Sequence, residues 1–171
     1  MTDKTTLSID LSPVKLGLAL VFLTLFLNFG LGAMFGMNED LFQNFIHSGI
    51  AAHANLFSNP DKEQDIIWRW LQRAHFHAGG IGAFSLGMVI LTALTNLSPR
   101  RKLITSTLIG LSIFYPLAWF TMFLYAPSIG RAAAHHAPLV ELFTDIGVGS
   151  LSLGILSLVL GIFVPTKADR P

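Results

Sequence analysis

The chain has 171 residues, 52% hydrophobic and only 12% charged, with a mean hydropathy of +0.60. A water-facing domain carries about 25% charged side chains, so this composition excludes a soluble enzyme. A net charge of +1 offers no field for nucleic acid, and the absence of cysteine excludes disulfides, thiol relays, zinc ribbons and iron–sulfur ligation.

Four stretches lack Asp, Glu, Lys and Arg: 16–37, 75–97, 103–130 and 146–164. About 20 apolar residues rising 1.5 Å each cross a 30 Å hydrocarbon core, and none of the four alternates as a barrel strand does. The expectation is one all-α integral membrane domain over 1–171. It is a four-helix transmembrane bundle with spans near 14–37, 74–97, 103–127 and 138–164, in contact with the lipid bilayer.

In chain order, the first span is preceded by Asp3, Lys4, Asp10 and Lys15. That mixed charge, with the length of the apolar run, reads as a retained span rather than a cleaved leader. Asn28 is expected to hydrogen-bond a neighbouring helix. An outer loop over 38–73 follows, and it contains an amphipathic helix. Phe42, Phe45, Ile46, Gly49, Ile50, His53 and Phe57 recur at helical spacing, giving a helix that lies on the membrane surface or caps the bundle. Asn59-Pro60-Asp61 breaks it. Trp68 and Trp70, beside Arg69 and Arg73, mark the return through the headgroup belt.

The second span opens with His75, His77, Gly79, Gly80 and Gly82. A tight Ser98-Pro99-Arg100-Arg101-Lys102 turn leads to the third, where Tyr115-Pro116 predicts a kink and Trp119 and Tyr125 fit an aromatic belt. In the fourth, Glu141 and Asp145 stand one turn apart just inside Pro138, with Thr144, Val148 and Ser152 on the same broad face.

Lys4, Lys15, Arg100, Arg101, Lys102, Lys167 and Arg170 fall on one side of the expected membrane; Lys62, Arg69, Arg73 and Arg131 fall on the other. The positive-inside rule then puts both termini in the cytoplasm of a bacterial inner membrane. All six histidines, His47, His53, His75, His77, His135 and His136, lie on the opposite, periplasmic side.

Those histidines carry the candidate chemistry. On a helix His75 and His77 point about 200° apart, so only one faces the interior. His75 shares its stripe with Gly79 and Gly82, where a helix or cofactor can approach closely, and is the better ligand. Imidazoles at the ends of several helices ligate a b-type haem, and the candidate cofactor-binding residues are His75, His135, His136, His53 and His77. An imidazole and carboxylate set suits copper, iron or zinc, and the candidate metal ligands are His75, His136, Glu141 and Asp145. A carboxylate within a span is costly and marks function by default. The competing readings are plain: histidine tolerates an interface, glycines let helices pack, and both carboxylates pair with Arg73 or Arg131 at the surface.

The stretch Arg73–Leu94, RAHFHAGGIGAFSLGMVILTAL, resembles the H-x-H helix of NnrS-type bacterial haem-binding membrane proteins. It is also similar to histidine-bearing helices of the haem–copper oxidase superfamily. The resemblance covers about 22 of 171 residues, and those families have more spans than four. It implies that His75 or His77 ligates haem or metal. The whole chain also looks like small four-span membrane proteins of proteobacteria.

Two functional expectations follow. One is binding of haem b or a transition metal at the periplasmic face, for electron transfer, sensing or metal handling. The other is a non-catalytic accessory subunit or assembly factor that packs against other membrane proteins or further copies of itself, supported by 15 glycines for helix contacts. No spacing here identifies an enzyme.

Overall fold

The computed structural model describes residues 10–164; Asp3, Lys4, Lys167 and Arg170, used in the orientation argument, lie outside that range. Helix α1 (Lys15–Ala52) follows a 3₁₀ turn at Ser12–Val14. Asp10 opens that turn, its Oδ1 accepting the Ser12 N–H at 2.9 Å. This backbone hydrogen bond favours the ionised carboxylate and holds the Asp10 pKa below the usual aspartate value.

The helix does not stop where its apolar run does. It breaks at Asn38 (φ −158°, ψ 70°) and resumes at once. The Asn38 side chain accepts the Leu41 N–H at 3.2 Å, so it caps the second segment. Glu39 and Asp40 sit in that segment's first turn, where the helix dipole favours carboxylates. Its buried stripe of Phe42, Ile46 and Ile50 faces the protein. Phe42 and Phe45 meet Phe123, and Gly49 lies against Pro127. The amphipathic helix therefore caps the bundle.

Helix α2 (Pro60–Leu94) starts at the residues read as a breaker. Asn59 accepts the Lys62 N–H at 3.2 Å, Pro60 takes the first turn, and Asp61 and Glu63 complement the dipole. The signal that ends one helix begins the next, so the 38–73 segment is helical for most of its length.

The third rod is α3 (Pro99–Gly110), a 3₁₀ turn at Leu111–Ile113, and α4 (Phe114–Ile129). Pro116 has no N–H for the Ser112 carbonyl, and the rod tightens into its 3₁₀ turn at that carbonyl, just before the expected kink position. Gly130, at φ 79°, turns the chain into the short α5 (Arg131–His135), and α6 (Pro138–Phe163) completes the bundle. At the opposite end, Lys102 Nζ donates to the Ala93 carbonyl at 2.7 Å, capping the last turn of α2.

Helix α1 packs along α2, α2 along α4, and α6 along α3 and α4. All four rods are long and apolar enough to cross a membrane. Phe26 and Phe29 on α1 are 69% and 75% exposed, a face that lipid covers and water would not. Most hydroxyls inside are satisfied between or along helices: Ser85 with Ser112 at 3.0 Å, Thr105 with Ser157 at 2.6 Å, and Thr24 to the Leu20 carbonyl at 2.9 Å. The buried Thr107 hydroxyl has no partner among the described residues. The fold is an all-α four-helix bundle of a membrane-embedded protein, with no strand among the described residues.

Candidate functional site

Helix α6 carries glycine at every seventh position along one face. Gly147 lies against the Tyr115 backbone, Gly154 against Ile109 and Gly161 against Leu97. A side chain at any of them would strike its neighbour, so these glycines set the close approach of the helices. Beyond Gly147 the small residues end. Helix α4 then presents Tyr115, Trp119 and Met122, spaced on one face, and α6 presents Val140, Glu141, Thr144 and Asp145. The helices no longer close, and a cleft of about 400 Å³ opens between them, with His135 and His136 at its rim. Small-ligand sites span roughly 300–1,000 Å³.

His136 Nδ1 lies 3.3 Å from Glu141 Oε1, with both side chains largely exposed. The His135 and His136 rings stand edge to face, 5.0 Å apart. Asp145 is one turn deeper and exposed to the cleft. The Thr144 hydroxyl is turned back to the Val140 carbonyl at 2.9 Å. Two imidazoles and two carboxylates thus line one opening with no Lys or Arg among its walls. That donor set suits a cation, above all a first-row transition metal.

The wall behind Trp119 is occupied. His77 stacks on its ring at 5.7 Å and 28°, Arg73 Cζ sits 5.0 Å from its centre, and Tyr115 meets His77 at 5.0 Å. Trp119 is therefore a hub between α2 and α4.

His135, His136, Glu141 and Asp145 share the cleft, and His77 touches its aromatic wall. His75 lies elsewhere, between α1 and α2: its Nδ1–H donates to the Asn28 carbonyl at 3.0 Å, and its ring fills the space left by Gly32 and stacks edge-on against Phe35. The Asn28 bond between helices is thus made by the backbone carbonyl. The room at Gly79 and Gly82 is taken by Asn28 and by Leu25 and Thr24, so that stripe serves the α1–α2 contact. His53 ends α1, its Nδ1–H donating to the Gly49 carbonyl at 2.9 Å. His47 is exposed on the cap. Among the described residues, no three His, Asp or Glu side chains are gathered as a metal site. Arg131 pairs with Glu63 and Arg73 with the Trp119 face, so neither neutralises Glu141 or Asp145.

The cleft's aromatic wall escaped the sequence reading. Positions 115, 119 and 122 follow helical i, i+4, i+7 spacing, the signal that would have assigned them to one face. Glu63, the partner of Arg131, was likewise hidden in a charged segment read as loop. Comparisons with protein-family models, curated proteins and solved structures found no match for this chain.

Proposed function

We propose that this chain is a multi-pass protein of a bacterial inner membrane, with both termini cytoplasmic, that binds a transition metal ion in the periplasmic cleft for sensing or metal handling. The observation that supports the reading is that His135, His136, Glu141 and Asp145 line one opening with no cationic side chain among its walls. His136 and Glu141 are already paired, and a bound ion would draw the other donors in. His136 and Glu141 are the first ligands, Asp145 offers a carboxylate about 6 Å further along the helix, and water completes the shell. Copper, zinc and iron all accept this mixed nitrogen and oxygen set.

Haem b binding through His75 has less support, because the glycine space beside that ring is filled by α1. The accessory-subunit reading ranks behind the metal for a related reason: Gly17, Gly49, Gly82, Gly110, Gly147, Gly154 and Gly161 are consumed by contacts within the chain.

Elemental analysis and a visible absorption spectrum of the purified protein test the reading. Bound copper, zinc or iron that disappears in Glu141→Gln supports it. Reduced-minus-oxidised b-type haem bands would replace it with the haem reading. A folded preparation that neither contains nor takes up metal or haem would favour the accessory subunit.

A further inference from the structure

A second recess lies on the other side of the Trp70–Trp119 pair, whose rings are 6.5 Å apart. It encloses about 380 Å³ and is lined by Ile66, Arg69, Trp70, Arg73 and Arg131. Three of five lining residues are arginines, so the local chemistry is the inverse of the acidic cleft.

The arginines are held differently. Arg131 is fixed by a two-point ion pair, its Nε and Nη2 donating to the two Glu63 carboxylate oxygens. Arg73 is steered by the Trp119 ring. Arg69 has no hydrogen bond or ion pair among the described residues. It also stands one turn from Arg73 on α2, a spacing at which like charges repel. The lining itself holds no carboxylate. Glu63 is paired with Arg131, and Arg69 and Arg73, both solvent-exposed, add uncompensated positive charge around the mouth of the hollow. The segment carries the tryptophans and arginines of a headgroup-level belt. A guanidinium fork matches the paired oxygens of a phosphate, and an oxyanion here relieves the Arg69–Arg73 repulsion.

We propose that this recess is a phosphate-binding site, filled from the headgroup of an anionic phospholipid or from free phosphate. The proposal is independent of what the acidic cleft binds.

The test is thermal unfolding of the purified protein in a neutral detergent, titrated separately with dioleoyl phosphatidylglycerol, dioleoyl phosphatidylcholine and inorganic phosphate. Wild type, Arg69→Gln and Arg100→Gln are compared. Arg69→Gln removes a guanidinium that makes no described hydrogen bond or ion pair and relieves its repulsion with Arg73, so without ligand its melting temperature should match or slightly exceed wild type. Phosphatidylglycerol should raise the melting temperature of wild type and Arg100→Gln, phosphatidylcholine should raise it less, and Arg69→Gln should need about tenfold more phosphatidylglycerol for the same rise. An equal dependence on Arg69 with inorganic phosphate alone also supports the site and makes free phosphate its source. No rise with either anion, or a rise that Arg69→Gln leaves unchanged, overturns the proposal.

Discussion

Helix α6 meets the third rod in two different ways along its length. From Gly161 to Gly147 it presents glycine every second turn, Gly147 and Gly154 lying against the backbone of α4 and α3 and Gly161 against the Leu97 side chain. From Asp145 to Val140 it presents carboxylates and a threonine opposite Tyr115, Trp119 and Met122, and the same two helices stand apart around a cleft. Little but side-chain size and polarity separates the two halves. One half stores packing energy in close contact, and the other gives up contact for an opening lined with donors. Helix α2 repeats the contrast: Gly79 and Gly82 admit α1 side chains, while about two to three turns earlier Arg73 and Arg69 face a recess.

The sharpest way to break this contrast is to put bulk where the glycines are. Gly147→Leu drives a side chain into the Tyr115 backbone and should cost about 1–3 kcal/mol or more, read as a fall in melting temperature in detergent. Gly149→Leu, on the same helix with open space around it, should be near neutral. Equal losses in both would mean that the glycine face does not set the helix approach.

The histidine end holds the larger buried cluster, around Ile46, Trp70, Leu71 and Phe123, and adds a charge contact to it. Glu63→Ala releases Arg131 from an ion pair in which the glutamate side chain is only 15% exposed, and should cost about 1–3 kcal/mol. The loss should shrink little in high salt, because the pair is partly screened from solvent already.

Asp10 gives the smallest effect. Its pKa is depressed in the folded chain, so the stability it adds is present above the unfolded value near 3.8 and is lost as pH falls through the lower folded value. A pH series of melting temperatures should show this step in wild type and not in Asp10→Asn.

The spans were legible because a bilayer demands about 20 uncharged residues in a row, and few other arrangements of charge satisfy that. The cap was legible as a helix from its Phe42, Ile46 and Ile50 stripe, but not as a continuation of α1. The join depends on one side-chain bond at Asn38, which a pattern of hydrophobicity does not register. The start of α2 was read as loop because Lys62, Glu63, Asp65 and Arg69 break the apolar run, although they lie on a helix that continues into the span. At the site, His135, His136, Glu141 and Asp145 were visible as residue types, and their neighbourhood followed from closeness in sequence. The separation of His75 from them was not visible. It depends on which helix faces Gly32 and Asn28, a matter of tertiary rotation rather than local spacing. The contacts of Trp119 were not visible either: an aromatic near a span end says nothing of its neighbours until Arg73 and His77 are seen beside its ring.

The proposed ligand site is the α4–α6 cleft and not the His75 helix. Calorimetric titration of Zn²⁺ and Cu²⁺ into purified wild type, His136→Ala and His75→Ala, each first shown to be folded by its melting profile, tests this most directly. The account predicts that wild type and His75→Ala bind with similar affinity, and that His136→Ala binds at least about tenfold more weakly. Normal binding by His136→Ala with loss in His75→Ala, or no binding by wild type, would contradict it.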